Sequence, residues 1–135
     1  MTCIFCDILE GKRDGHFLYE DEYHVAFLDK YPIDVGHSLV IPREHHERIT
    51  DMDSQAVGNL FAIVPKIASA VLEATGADAF SLGQNNGRAA KQIIPHVHIH
   101  IIPRYNNKGS IWTKRQISND EELCGLASKI KKLLT

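Results

Sequence analysis

Three histidines fall at alternate positions in His96-Val97-His98-Ile99-His100-Ile101-Ile102. In an extended chain successive side chains point to opposite faces. Val97, Ile99 and Ile101 then turn to the core, and three imidazoles line the other side on Cα atoms roughly 6.6 Å apart. Three chemistries compete for this pattern. It is a solvated strand face that happens to carry histidines, or a metal centre, or a nucleophilic site. Two histidines at i and i+2 on a strand can grip one zinc, and an open coordination position makes such a site hydrolytic. That scheme normally recruits a carboxylate or a further histidine from elsewhere, and no Asp or Glu occurs from residue 79 to residue 119. A neutral imidazole, by contrast, is available for attack near physiological pH. If one ring nitrogen donates to a carbonyl, the other is held as the nucleophile, while neighbouring histidines supply positive charge to phosphate oxygens. Attack on phosphorus gives a phosphoramidate that water can open, with no metal in the site.

The surrounding pattern supplies the elements that must hold this strand. Cys6 to Leu9 starts a short helix that Gly11 ends. Tyr23 to Asp29 is rich in β-formers and stops at the turn region Pro32 to Gly36; His37 to Ile41 reads as a strand closed by Pro42, antiparallel to the first. From Asp53, apolar residues at three- and four-residue steps (Val57, Leu60, Phe61, Val64, Ile67, Ala68, Val71, Leu72) predict one helix with a buried face. Asp53 or Ser54 caps its start, Gly76 ends it, and Pro65 kinks it. Ala79 to Gln84 reads as a strand running into the turn Asn85-Asn86-Gly87, and His96 to Ile102 as a strand closed by Pro103. Residues 104–117 are ambiguous, with turns expected at Asn106-Asn107 and Lys108-Gly109. Ser118 and Glu121 form a possible capping box for a last helix. Its apolar face is Leu123, Leu126, Ile130 and Leu133/Leu134, with lysines at its C-terminal end. The layout is α+β.

Composition narrows the classes further. The chain has 135 residues, 15 Lys plus Arg against 17 Asp plus Glu, and a formal charge of −2, with no basic excess to bind nucleic acid. At 44% apolar and 24% charged it reads as one ordinary globular domain over residues 1–135. Asn59, Lys66 or histidines break the longest apolar stretches, so no membrane span is expected, and the N-terminus shows no secretory signal. Three cysteines cannot all pair within the chain. Cys3 and Cys6 form a tight CxxC, which suggests a reduced, cytoplasmic setting. Two thiolates alone do not close a tetrahedral zinc site, so a redox pair and two buried thiols stay open beside metal binding.

HVHIHII resembles the signature of the histidine-triad (HIT) family, His-φ-His-φ-His-φ-φ with apolar φ, and all four φ positions comply. The similarity extends to CIFCDILEG, to YEDEYHVAFLDKYPIDVGHSLVIPREH and to QNNGRAAKQIIPHVHIHIIPR, in the order of the small nucleotide-binding members. The resemblance implies a mainly antiparallel five-stranded sheet with two principal helices, in a homodimer to which the long helix and the sheet edge contribute. It implies a hydrolase or transferase acting at the α-phosphorus of a purine nucleotide conjugate, a dinucleoside polyphosphate or a nucleoside phosphoramidate. In that scheme His98 attacks to form a nucleotidyl-histidine, His100 contacts phosphate oxygens, and His96 supports the site or serves a metal. Asp29 matches the residue that bonds the ribose hydroxyls, although a turn-forming Asp reads equally well. Asn85 and Gln92 match residues that approach the phosphates. Phe5, Ile8, Phe27 and Leu28 are placed as apolar walls around the base, or as plain core.

The resemblance further implies a structural zinc held by Cys3, Cys6, His45 and His96, with no cofactor needed for the chemistry itself. His46 is expected to be exposed, His37 buried and hydrogen-bonded, and Cys124 buried. Two departures stand out. Family members commonly have Gly before the Gln and Ser or Thr after it, where this chain has Lys91 and Ile93. Lys91, with Arg88, either meets a second phosphate or a charged leaving group, or is solvated. Two rivals remain at this stage: a metal-dependent hydrolase that uses the histidines as ligands, and a nucleotide-binding module without turnover.

Overall fold

Alternating apolar residues pair into a five-stranded sheet of β1 (Phe17–Glu20), β2 (His24–Leu28), β3 (Ser38–Pro42), β4 (Ala79–Gly83) and β5 (Ile99–Arg104). The order is β1-β2-β3-β5-β4, and every neighbouring pair is antiparallel. The computed structural model describes residues 3–106, 108, 112 and 119–135. Register assigns the two faces. Phe27 pairs with Leu39, Leu39 with His100 and His100 with Gly83, forming one row across the sheet. The adjacent row, Ala26, Val40 and Ile99, faces the other way. β1 is a strand that the sequence pattern did not identify; it is short, and its pairing shifts register between Phe17 and Tyr19.

Among the described residues four α-helices cover the sheet: α1 (Ile4–Leu9), α2 (Ser54–Ala62), α3 (Val64–Thr75) and α4 (Asp120–Leu133). Val97, Ile99 and Ile101 pack with Ile67 and Val71 of α3 and with Leu123 and Ile130 of α4 in the main core. Each fully buried Ile or Val there contributes on the order of 1.5–3 kcal/mol. On the histidine face, Phe5 and Ile8 of α1 join Val25, Phe27, Leu39 and Ile41 in a second, smaller cluster. The connection from β2 to β3 turns at Gly36, whose φ of +91° suits glycine. A Cβ there would also stand 2.7 Å from a Thr75 methyl.

Several sequence expectations need correction. The long helix is two helices, not one kinked helix. Pro65 lacks the N–H for an i−4 bond, so α2 ends at Ala62 and the chain restarts with proline in the first turn of α3, where that N–H is not needed. Asp53 caps α2 by accepting from the Ala56 N–H at 2.8 Å. Together, Ser54–Thr75 are long and apolar enough to cross a membrane by length and composition, contrary to the expectation. Their buried face packs in the main core.

β5 begins at Ile99 rather than His96, because the preceding stretch is held differently, with the Val97 N–H donating to the His46 carbonyl at 2.8 Å. It also runs through Pro103 instead of stopping there. Pairing with β3 ends at Ile101, so only β4 flanks Pro103, where a missing donor is tolerated. Asn119 caps α4 through the Glu122 N–H, while Ser118 and part of the turns expected at 106–109 lie outside the described residues. Leu133 and Cys124 prove exposed, because α4 turns only Leu123, Ala127 and Ile130 fully inward; His46, in the segment whose carbonyl accepts from Val97, is half-buried.

Candidate active site

The hydrogen bonds around the histidines fix their tautomers. His98 Nδ1 lies 2.7 Å from the His96 carbonyl. A carbonyl only accepts, so Nδ1 carries the proton and Nε2 bears the lone pair. His37 is the reverse case. The Ile33 N–H donates to His37 Nδ1 at 2.9 Å, which places the His37 proton on Nε2. That Nε2 donates to His100 Nδ1 at 2.9 Å and lies 3.5 Å from Asp29 Oδ2. His100, accepting at Nδ1, therefore presents a donor at Nε2. The His98 and His100 rings stand 4.8 Å apart, and the Phe5 ring meets His98 edge-on at 5.0 Å. A lone pair beside a hydrogen-bond donor is the pairing that attack on a phosphoryl group requires.

Both rings open into a cleft of about 590 Å³, a size typical of small-ligand sites. Phe5, Ile8 and Phe27 form an apolar wall, and Asp29 and Asn85 reach the same space. Asp29 also accepts from the Tyr31 N–H, so it makes the turn and lines the cleft at once. Leu28 touches the cleft but belongs to the main core on the other face. Gln92 does not line it. Its Oε1 accepts from the Gly87 N–H at 2.7 Å and its Nε2 donates to the carbonyls of Glu47 and Ile94, so its amide secures the turn before the histidines. His96 is fully buried and also absent from the cleft lining. Sequence reading missed His37 as a partner of His100, and missed His16, which bonds Asp120 at 2.9 Å along the cleft. Partners that far apart leave no local pattern.

His96 instead faces a second cluster. Its Nε2 donates to the Pro42 carbonyl at 2.8 Å, turning the Nδ1 lone pair toward the cysteines. That Nδ1 lies 3.5 Å from Cys3 Sγ, 3.6 Å from Cys6 Sγ and 3.2 Å from His45 Nδ1, and the last is 3.3 Å from Cys6 Sγ. With Zn–S near 2.3 Å and Zn–N near 2.0–2.1 Å, a tetrahedral ion has S···N and N···N edges of about 3.6 and 3.3 Å. The four donors therefore fit zinc. Burial holds the His96 ring down at about 4 against the opposing pull of the Pro42 carbonyl, so it is neutral at pH 7 and can ligate. Burial, then the hydrogen bond and charge of Cys3, pushes the Cys6 thiol up to about 11, so a metal must displace its proton.

Residues 10–107 match the family model described as HIT domain. The chain belongs to the HIT family. Among relatives of this HIT domain, "Adenosine 5'-monophosphoramidase hnt1" of Schizosaccharomyces pombe is 37% identical over 97% of this chain and 100% of its own length. "Adenylylsulfatase HINT3" of Arabidopsis thaliana is also 37% identical, over 98% of this chain and 69% of its own. Among solved structures, a hypothetical histidine triad nucleotide-binding protein from Sulfolobus tokodaii gives a TM-score of 0.89 at 34% identity, covering 98% of this chain and 91% of that one. A Zn-bound histidine triad protein from Mycobacterium smegmatis gives 0.84 at 34% identity, covering 98% and 96%.

Proposed function

We propose that this HIT protein hydrolyses adenosine 5'-phosphoryl conjugates through a nucleotidyl-His98 intermediate. The observation that carries the reading is the pair of complementary tautomers: His98 Nδ1–H seated on the His96 carbonyl, beside His100 whose Nδ1 is occupied by His37. His98 Nε2 attacks the α-phosphorus, and the P–X bond breaks with its electron pair leaving on X, which takes a proton from water in the cleft when X is an amine, while His100 Nε2–H bonds a phosphate oxygen. Water then opens the P–N bond, restoring the ring and releasing the nucleoside monophosphate. Phe5, Ile8 and Phe27 take the base, Asp29 the ribose and Asn85 the phosphate. The names of the two relatives, an adenylylsulfatase and an adenosine 5'-monophosphoramidase, support an adenylyl group as the part held in common.

Two further assignments belong to this reading. Zinc is held by Cys3, Cys6, His45 and His96, where it ties the N-terminus to the segment carrying His98. A second copy of the chain docks along β4, the strand that ends the sheet, where Phe80 and Leu82 are exposed. Among the described residues, the donor set beside the cleft that a rival metallohydrolase would use is Asp29, His37 and His100, whose donor atoms also lie close together. Their 2.9 Å N···N separation is a hydrogen-bond length, shorter than the edge of about 3.3 Å around a tetrahedral zinc. The test is turnover of adenosine 5'-phosphoramidate with label at phosphorus, quenched in base. Wild type should retain label on the protein, and His98→Ala should lose at least about 10³-fold in kcat/KM, or about 4 kcal/mol of barrier. An unlabelled wild type together with an active His98→Ala protein would refute the intermediate.

A further inference from the structure

Lys91 is the one non-glycine residue with positive φ among the described residues, at φ 65° and ψ 34°. Any residue with a Cβ is disfavoured there, and such backbone persists when its surroundings over-determine it. They do: the Lys91 N–H donates to the Arg88 carbonyl at 2.9 Å, the Gln92 N–H to the Gly87 carbonyl at 3.1 Å, and the buried Gln92 amide clamps the turn from inside. The result is a lysine held at the wall of the cleft that contains His98 and His100. Lys91 has no ion-pair partner among the described residues, and no Asp or Glu occurs from residue 79 to residue 119. The other two cations of the cleft, Arg13 and Lys30, share it with Asp14, Asp29 and Asp120. Each of those acids is next to one of the two cations in sequence or comes from α4; none comes from Lys91's own wall.

β4 stops at Gly83 opposite His100, and the connection that follows lines the cleft through Asn85, Lys91, Ile93 and Ile94. With the base against Phe27 and the α-phosphorus at His98, Lys91 stands on the wall of the same cleft, where a group departing from phosphorus has to pass. We propose that Lys91 selects conjugates whose leaving group is an oxyanion, sulfate or phosphate, over those that release an amine; this rests on the reading above. When the P–O bond breaks, its electron pair leaves on the oxyanion, and an ammonium beside it offsets the growing charge. An amine departs only after taking up a proton, so no negative charge grows on it for a neighbouring cation to offset.

Binding and turnover test this separately. In equilibrium titrations, ADP stands in for an anionic substituent and AMP lacks it. Wild type and Lys91→Arg should bind ADP about tenfold tighter than AMP, and in Lys91→Met the gap should close to about twofold. In turnover, the kcat/KM of adenosine 5'-phosphosulfate relative to adenosine 5'-phosphoramidate should fall about tenfold in Lys91→Met, with Lys91→Gly, which also relieves the left-handed backbone, matching it. A Lys91→Met protein that keeps either the wild-type ADP–AMP gap or the wild-type substrate ratio overturns the proposal. If wild type turns over neither conjugate, the hydrolase reading fails, and the ADP–AMP gap still decides the role of Lys91.

Discussion

His96 and His98 stand two positions apart on the same side of the chain, yet they belong to different regions. His96 donates from Nε2 to Pro42 and offers Nδ1 to the thiol cluster; His98 donates from Nδ1 to His96 and offers Nε2 to the cleft. In the proposed reading, the same side chain serves as ligand or as nucleophile according to which ring nitrogen a main-chain carbonyl engages. The two regions also meet, since the carbonyl that orients His98 belongs to His96 and the Phe5 ring lies edge-on to both imidazoles, at 5.9 Å and 5.0 Å. Anchoring the ring of His96 therefore steadies the bond that orients His98.

Removing the cluster should have the largest effect on stability and a smaller one on chemistry. Cys3→Ser with Cys6→Ser, or chelation of the wild type, should cost about 3 kcal/mol or more of unfolding free energy in denaturant titrations, because metal binding is folding energy. Turnover measured well below the new unfolding transition should persist in part. Complete loss of turnover with unchanged stability would erase the distinction between the two regions.

Next in size is His37→Asn, which keeps an acceptor for the Ile33 N–H but withdraws the donor from His100. We expect a loss of about 10–100-fold in kcat/KM, as for other residues that orient an active ring through one hydrogen bond. A normal rate would mean that His100 needs no fixed tautomer.

The smallest effect calibrates the others from outside both regions. Asp21 in the β1–β2 turn accepts from the N–H groups of Tyr23 and His24, from the Tyr19 hydroxyl and from the His24 ring. Burial works against the carboxylate, but these donors outweigh it and hold it down at about 2. A depressed carboxyl contributes stability above its ordinary value near 4 and loses it as pH falls toward 2. Asp21→Asn should therefore cost about 1 kcal/mol at pH 7, after allowance for solvent screening, and about nothing at pH 2. A pH-independent difference would assign the effect to packing instead.

The parts legible in the sequence were those with a local period. Alternation over residues 96–102 announced which side chains face the core, and the buried side chains of α2, α3 and α4 follow their three- and four-residue spacing. Pairings made by the tertiary fold left no such trace. His37 meets His100 across 63 residues, and Gln92 finds Glu47 across 45, which turns its amide away from the cleft. The break at Ile63 reads in the sequence as a kink at Pro65, because proline marks both a bend and a fresh helix start. The thiol and imidazole cluster joins segments 93 residues apart and became visible only through family resemblance.

Because odd-numbered residues from Val97 to Ile101 fill the interior while their even-numbered neighbours serve the cluster and the cleft, this stretch cannot change length. Inserting or deleting a single residue between them would exchange the two sets, sending imidazoles inward and aliphatic groups outward in one step. Substitutions here can be graded, one side chain at a time. Indels cannot, so the number of residues in this segment is constrained by folding and by chemistry together.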